Sequence, residues 1–218
     1  MELLNKYIEH TNLKNTATLK DIEKLCNEAI KYDFAAVCVY PYYVPLACEL
    51  LKDTNIDVCT VIGFPTGLMT KESKVYEAID AVSKGADMVD MVANISAIKN
   101  KDFNYVKEEI EEIRDAIDGK TLKVIIETNL LTDKEIIKMT EICNETYVNY
   151  IKTCTGFTGG VLKDHVDIIN KHKNDVLEIK ASGGIKTKKD LIDLVELGAT
   201  RIGTSSGVII MEDNKEEL

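Results

Sequence analysis

Two lysines end successive apolar segments, and their placement suits amine chemistry. Lys152 and Lys180 are 28 residues apart, one repeat of a strand and a helix, so their strands should be neighbours roughly 5 Å apart. At an assumed ~6 Å and an effective dielectric of ~20, two ammonium groups repel by about 3 kcal/mol, or roughly 2 pKa units. Because desolvation acts in the same direction, the sequence predicts that one lysine is partly neutral and attacks a carbonyl as a Schiff-base nucleophile. Extension along the surface or pairing with a carboxylate is the alternative for either lysine.

A carboxylate inside an apolar segment could complete this chemistry. Asp90 lies within the run Met88–Val92, where an unpaired charge is costly. It could neutralise the lysine pair or relay protons at the substrate carbon, and a structural salt bridge is the alternative. Glu9 and Glu127 also end apolar segments, and hydrogen bonding to loop amides is the favoured role for each. Glu9 is in addition a candidate substrate-binding residue.

Glycine-rich loops follow the last two apolar segments and are typical of phosphate binding. In barrels of parallel strands, the loops after strands 7 and 8 and a short helix N-terminus commonly hold a phosphate. Glycines let backbone N–H groups approach an anion and serine hydroxyls add donors, whereas each glycine pair alone could be only a turn. The loop after the sixth segment could add a third wall. The candidate residues are Gly183, Gly184, Ser205, Ser206, Thr155 and Gly156.

Eight short apolar segments must position these residues, and amphipathic helical segments alternate with them. Nearly continuous Val, Ile, Met and Cys runs are typical of parallel strands covered on both faces. Eight strands in 218 residues leave about 27 residues for each strand and helix, which predicts a single-domain (β/α)8 TIM barrel over residues 1–218. An open doubly wound sheet is the alternative, but no strand precedes G-x-G-x-x-G or a Walker pattern. The predicted strands are Lys6–Glu9, Ala35–Val39, Asp57–Ile62, Met88–Val92, Leu122–Glu127, Tyr150–Thr153, Leu177–Ala181 and Arg201–Gly203.

The composition limits the classes of molecule that the protein could bind. With 27 Lys and Arg against 37 Asp and Glu the net charge is −10, which argues against nucleic acid and against an anionic membrane. The 45% hydrophobic content is that of an ordinary globular protein, and no segment approaches the ~20 apolar residues of a membrane span. We identify no signal peptide. The six cysteines form no C-x-x-C pair and no zinc pattern, which favours reduced thiols in the cytoplasm and neither a metal nor a cofactor.

Six segments resemble deoxyribose-phosphate aldolases, in order and over essentially the whole chain. Several of these segments are long enough to be distinctive. They are residues 36–41 (AVCVYP), 60–67 (TVIGFPTG), 85–92 (GADMVDMV), 151–157 (IKTCTGF), 180–185 (KASGGI) and 201–206 (RIGTSS).

The resemblance implies a class I, metal-free aldolase that reversibly cleaves 2-deoxy-D-ribose 5-phosphate to D-glyceraldehyde 3-phosphate and acetaldehyde. Lys152 matches the Schiff-base lysine of the family, Lys180 the second lysine that tunes it, and Asp90 the acid/base carboxylate of the proton relay. The glycines and serines of the last two loops match its phosphate loops. The family also suggests a homodimer. The alternatives are another Schiff-base aldolase with a different phosphorylated aldehyde, and a non-catalytic barrel that binds sugar phosphates.

The chain departs from the family pattern at four positions. Glu9 stands where Asp is usual, which moves the carboxylate by about one C–C bond, and Cys154 stands where Ser is usual, which loses a good hydrogen-bond donor. Ser96 replaces a frequent Gly, and Lys186 replaces a frequent Arg, which keeps the charge but loses the bidentate fork. The lysine pair and Asp90 are unchanged, so activity is expected.

Overall fold

A computed structural model describes residues 4–213 and has a closed barrel of eight parallel strands. Each strand pairs with the next along the chain, and the last pairs with the first. The predicted (β/α)8 barrel is thereby confirmed, while residues 1–3 and 214–218 of the predicted domain lie outside the described residues. The strands are β1 (Ile8–Asn12), β2 (Ala36–Val39), β3 (Asp57–Ile62), β4 (Met88–Val92), β5 (Thr121–Ile125), β6 (Tyr150–Lys152), β7 (Glu178–Ser182) and β8 (Arg201–Thr204).

Helices cover the outside of the barrel. Capping boxes begin three of them, at Thr18, Thr132 and Thr187, where each threonine accepts from the backbone N–H three residues later. Within residues 4–213 no helix has both the length and the apolar character that crossing a membrane requires. The helices are α1 (Leu19–Tyr32), α2 (Val44–Leu51), α3 (Lys71–Ser83), α4 (Ile95–Lys99), α5 (Phe103–Ala116), α6 (Asp133–Glu145), α7 (Lys163–His172), α8 (Lys188–Glu196) and α9 (Gly207–Glu212), with 3-10 turns at Leu4–Tyr7, Pro41–Tyr43 and Thr128–Leu130.

Six of the eight strands differ from the prediction by one to three residues at an end, and two of these differences change where predicted residues lie. The first strand begins at Ile8, because a 3-10 turn occupies Leu4–Tyr7, and Glu9 therefore lies within the strand and not at its end. The fifth strand ends at Ile125, two residues before Glu127. Glu127 has a left-handed backbone with φ of 50°, which bends the chain out of the strand direction.

The two faces of the barrel strands carry different side chains. Outward-facing side chains pack under the helices and form the main apolar core of the protein. Inside the barrel, one side carries a small apolar cluster from β2 to β4, whereas buried charged residues come from β1 and from β4 to β7. The apolar cluster consists of Ala36, Cys38, Cys59, Val61 and Met88, and the charged residues are Glu9, Asp90, Lys123, Lys152 and Lys180.

A second buried ion pair lies outside the barrel, between α3 and α5. Lys74 Nζ lies 2.7 Å from Glu109 Oε1 and donates to the carbonyl of Val92 at 2.8 Å, and both side chains are fully buried. Glu109 Oε2 also accepts from the backbone N–H of Asn94 at 3.2 Å. Burial lowers the pKa of Lys74 and raises the pKa of Glu109. The pair therefore anchors two helices to the carboxyl end of β4, two residues beyond Asp90.

Replacing Lys74 with methionine is expected to lower the free energy of unfolding by about 3–5 kcal/mol, because Glu109 then stays buried without its partner. The combined substitutions Lys74→Met and Glu109→Leu are expected to recover most of that loss, since apolar packing can replace a buried pair. Urea unfolding measures both values. Lys52→Met, at the exposed pair with Glu49, is the matched control and should cost at most about 1 kcal/mol. Equal losses in Lys74→Met and the control would contradict the prediction.

Candidate active site

The two predicted lysines meet at one carboxylate inside the barrel. Lys152 of β6 and Lys180 of β7 are register partners in neighbouring strands, as predicted. Lys152 Nζ donates to Asp90 Oδ2 at 2.8 Å, and Lys180 Nζ donates to the same oxygen at 2.7 Å. The two amines therefore lie no further apart than the sum of these distances. The structure thus brings Lys152, Lys180 and Asp90 into direct contact.

A third lysine and a second carboxylate complete the ionic cluster. Lys123 Nζ lies 3.1 Å from Asp90 Oδ1 and 3.4 Å from Glu9 Oε1, and Lys180 Nζ donates to Glu9 Oε2. Lys123 is not among the predicted residues, because it lies in the middle of β5 and not at a strand end. Strand register is the feature that reveals Lys123, because it lies directly opposite Asp90 where β4 pairs with β5.

The carboxylates reverse the pKa shift that the lysine pair alone would give. Burial by itself would lower the pKa of Lys180, but Asp90 and Glu9 outweigh it and hold that pKa well above its usual value. Burial would likewise raise the pKa of both carboxylates, but Lys123 and the other ammonium groups hold the pKa of Asp90 well below its usual value and lower that of Glu9. Repulsion between the two lysines is thus only one of several interactions at Lys180, and the carboxylates outweigh it. The prediction that one lysine of the pair is partly neutral concerns Lys152 and stays a prediction.

Lys152 is the lysine of the cluster that reaches the main cavity. A cavity of about 540 Å³ opens at the carboxyl ends of the strands, and Lys152 lines it. Lys123 and Lys180 are fully buried and do not line this cavity. An aldehyde that enters the cavity therefore meets the Lys152 amine, while the other two lysines act on it only through the shared carboxylates.

The six predicted phosphate-loop residues also line this cavity. Thr204 of β8 holds the last two loops together, since its Oγ1 donates to the carbonyl of Ile185 at 2.7 Å and accepts from the N–H of Ser206 at 2.9 Å. Gly183 requires glycine, because its φ is +107° and an added Cβ would lie 3.1 Å from the carbonyl oxygen of Gly159. Thr204 is not among the predicted residues, since threonine at a strand end is common in structural roles.

Glu9 and Glu127, for which the sequence predicts the same role, have different roles in the structure. Glu127 is buried and accepts from the backbone N–H of Thr155 at 3.2 Å and from its hydroxyl. It therefore holds the loop after Lys152 through an amide, as predicted. Glu9 is bound in the ionic cluster, and the predicted bond to a loop amide is wrong, because its strand position directs the side chain into the barrel. It is fully buried and does not line the cavity, so the structure does not support its predicted contact with substrate.

The remaining departures from the family pattern affect the site to different degrees. Cys154 is buried beside Thr128, its Sγ lying 3.4 Å from Thr128 Oγ1, and burial raises the pKa of its thiol. Its carbonyl accepts from Ser182 Oγ at 2.6 Å. Lys186 lines the cavity, whereas Ser96 is exposed in α4 and does not. A charge thus remains at position 186 near the phosphate loops.

One buried group could in principle ligate a metal. The ligand atoms of Cys38, Cys59 and Asp90 lie within 4.8 Å of one another, a grouping that the cysteine spacing does not predict. Both oxygens of Asp90 already face lysine ammonium groups, however. A divalent cation at this position would be repelled by three positive charges, so the chemistry of these neighbours argues against a metal role.

The cluster predicts how stability depends on pH. Because the folded pKa values of Asp90 and Glu9 are lowered, their contribution is present above about pH 4 and is lost as the pH falls through the folded values. The raised pKa of Lys180 gives a contribution that is present below about pH 10 and is lost as the pH rises through its folded value.

Glu9→Gln is expected to lower the free energy of unfolding at pH 7 by about 1.5–3 kcal/mol, because Lys180 loses a charged hydrogen bond. The loss of stability on acidification should also become shallower, since one carboxylate with a lowered pKa is gone. Urea unfolding between pH 3 and pH 7 measures both effects. Glu49→Gln, on the surface, is the control and should leave the wild-type curve unchanged. A Glu9→Gln curve parallel to the wild type would contradict the assignment of Glu9 to the cluster.

Comparisons with known proteins agree with this fold and identify its family. The family model described as DeoC/LacD family aldolase matches residues 4–212. A deoxyribose-phosphate aldolase of Finegoldia magna is 49% identical over 210 residues, which cover 96% of this chain and 99% of that protein. Among solved structures, an aldolase called QR15 has a TM-score of 0.94 at 41% identity, covering 98% of this chain and 96% of that one.

A tetrameric deoxyribose phosphate aldolase from Aeropyrum pernix has a TM-score of 0.90 at 31% identity, and the match covers 98% of this chain and 91% of that one. The resemblance that the six sequence segments carry is thereby confirmed. The family match extends over nearly every described residue, from β1 to α9. The chain therefore belongs to the DeoC/LacD family of aldolases.

Proposed function

We propose that the protein is a class I aldolase that reversibly cleaves 2-deoxy-D-ribose 5-phosphate to D-glyceraldehyde 3-phosphate and acetaldehyde. The observation that carries the proposal is the position of the Lys152 amine, which lines a cavity with two glycine-rich loops and is bonded to the carboxylate that Lys180 shares. The relatives named as deoxyribose-phosphate aldolases, at nearly half identity over the whole chain, support the same substrate.

The first step forms a Schiff base at Lys152. The ammonium group gives a proton to Asp90, and the free amine attacks the aldehyde carbon of the open-chain sugar; a proton moves from the attacking nitrogen to the carbonyl oxygen to give the carbinolamine. The proton held on Asp90 is then delivered to the hydroxyl, which leaves as water, and an iminium ion remains. The iminium carries one positive charge beside Asp90, as the ammonium group did, so the carboxylate keeps a cationic partner.

The second step breaks the bond between carbons 2 and 3 of the sugar. The iminium accepts the bonding electrons and becomes an enamine, while the hydroxyl on carbon 3 loses a proton and becomes the aldehyde of glyceraldehyde 3-phosphate. Protonation of the enamine carbon and hydrolysis by water then release acetaldehyde and restore Lys152. The acid and base of these steps are assigned to Asp90 and Lys180, which are bonded to each other.

Lys180 acts as a charged donor and not as a nucleophile. Its ammonium group is fully buried between Asp90 and Glu9, and its pKa is held well above the usual value by those carboxylates. A lysine that is charged at rest can stabilise the ionised form of Asp90, and it can pass a proton to Asp90 during the reaction and take one back afterwards. The tuning role that the sequence predicts for Lys180 is thus exercised through the shared carboxylate.

The phosphate of the substrate is assigned to the loops after β7 and β8. Gly183 and Gly184 expose backbone N–H groups, Ser205 and Ser206 add hydroxyl donors, and Lys186 supplies a charge at the rim. Thr155 and Gly156 form the wall on the side of β6. Because amine and phosphate loops border one cavity, binding the phosphate would bring the aldehyde end toward Lys152.

The homodimer and the cytoplasmic location stay predictions. The tetramer of the Aeropyrum pernix relative is compatible with assembly of this fold into oligomers, of which a dimer is one. The cysteines among the described residues are all free thiols, as reducing conditions would keep them.

Treating the protein with acetaldehyde and sodium borohydride is expected to alkylate Lys152, adding about 28 Da as a single ethyl group, because reduction traps the Schiff base. Mass spectrometry after proteolysis locates the adduct. Lys152→Met should remove the adduct and lower kcat for 2-deoxyribose 5-phosphate at least about a thousandfold, since the nucleophile is lost. Lys134→Met, at an exposed position of α6, is the control and should behave as the wild type.

Three outcomes would contradict the proposal. An adduct on another lysine, or none, would exclude Lys152 as the nucleophile. Faster reaction with hydroxyacetone or pyruvate than with acetaldehyde as the donor would indicate another Schiff-base aldolase. Binding of the sugar phosphate without turnover would indicate a non-catalytic barrel.

A further inference from the structure

A buried histidine lines the same cavity as the phosphate loops and has no part in the proposed chemistry. His10 of β1 is 3% exposed, and it points away from the ionic cluster because successive side chains of a strand alternate between its faces. Its Nε2–H donates to Glu28 Oε2 of α1 at 2.9 Å. Among the described residues its Nδ1 has no hydrogen-bond partner. A buried histidine with one unsatisfied nitrogen calls for an explanation.

The histidine ring lies against the loop that carries the two serines. A Cβ added to Gly207 would lie 3.0 Å from His10 Nδ1 and 3.0 Å from Phe34 Cζ, so a larger residue fits only if the rings or the loop shift by a few tenths of an ångström. The rings support each other, with centroids 5.2 Å apart and planes tilted by 54°. Gly207 directly follows Ser205 and Ser206 and begins α9. The rings of His10 and Phe34 therefore form a rigid floor under the end of this loop.

The strand register places the same histidine beside the second support of the loop. His10 pairs with Thr204 across β1 and β8, and Thr204 Oγ1 accepts from the N–H of Ser206. The loop is thus in contact both with Thr204 and with the His10 ring. Backbone N–H groups bind a phosphate strongly only when their directions are fixed before binding, which two such supports provide.

Glu28 fixes the ring and also creates a charge that must be balanced. It is partly exposed and lines the same cavity as Ser205 and Ser206, where an unpaired carboxylate would repel a phosphate. His10 and Lys24 both face it, at 2.9 Å and 3.7 Å. Loss of His10 would therefore remove a support of the loop. It would also leave the negative charge of Glu28 less well balanced near the phosphate loops.

We propose that His10, oriented by Glu28, is a positioning residue that holds the Ser205–Ser206 loop in the geometry that binds the phosphate of the substrate. This inference rests on the proposed function for its substrate and assigns His10 no contact with the reacting atoms. His10 acts through Gly207 and Thr204, and it favours phosphorylated over unphosphorylated sugars without affecting the amine.

The test compares 2-deoxyribose 5-phosphate with unphosphorylated 2-deoxyribose in the wild type and in His10→Leu. The expected result is a fall of about tenfold in the ratio of the two kcat/KM values, carried by KM for the phosphate ester, because the loop loses a support. The inhibition constant of inorganic phosphate should rise by a similar factor. Gly207→Ala is expected to change the ratio in the same direction, since its Cβ would displace the loop from the rings.

The matched control is His172→Leu, at an exposed histidine of α7, which should leave the ratio unchanged. An unchanged ratio in His10→Leu and Gly207→Ala would overturn the proposal. If both kcat/KM values fall equally, the role of His10 is a general structural one, and if neither falls, His10 does not support the loop. Borohydride trapping of acetaldehyde needs no phosphate, so its failure in the wild type would refute the proposed function separately.

A measurement on the unchanged protein keeps the test decisive if the variants do not fold. Inorganic phosphate titrated into the wild type should shift the NMR signals of the His10 ring and of the Ser206 and Gly207 amides with one dissociation constant. Movement of the two amides without any change at His10 would overturn the proposal.

Discussion

The carboxylate of Asp90 is the interaction on which the rest of the site depends. Three lysine ammonium groups face its two oxygens, and all of these groups are removed from water almost completely. Charges buried in this way are tolerated only when they are paired with good geometry. The required geometry draws on strands far apart in the sequence, which only the closed barrel brings to one point. The site is therefore assembled only when the barrel closes.

The cluster also supports the proposal that Lys152 is the reactive one of three similar lysines. Glu9 and Asp90 provide two negative charges for three positive ones, so pairing leaves one ammonium group in excess. Lys123 and Lys180 each face both carboxylates, whereas within residues 4–213 Lys152 forms an ion pair with Asp90 alone. Lys152 also borders the cavity. Its amine is thus the member of the cluster with the fewest ionic partners and the best access to a carbonyl compound.

Much of this arrangement could be predicted from the sequence, because strand ends and glycine-rich loops leave local signals. The barrel, the meeting of Lys152 with Lys180 and Asp90, and the loop residues around one cavity follow from spacing and strand order. Lys123 and Thr204 could not be predicted in this way, since their roles depend on the register between neighbouring strands. The direction in which the pKa of Lys180 shifts also depends on burial and on the charges of several neighbours together. Repulsion by a second lysine is only one of these contributions.

The first strand connects the two halves of the site through adjacent residues. Glu9 enters the barrel and bonds Lys180, while His10 faces outward and supports the loop that ends at Gly207. Because side chains alternate along a strand, a shift of one residue in the pairing of β1 with β8 would exchange these two environments. A carboxylate would then lie beside the phosphate loops, and an imidazole would lie among the lysines. The register that pairs His10 with Thr204 therefore fixes the charge balance at the amine and the shape of the phosphate loops together.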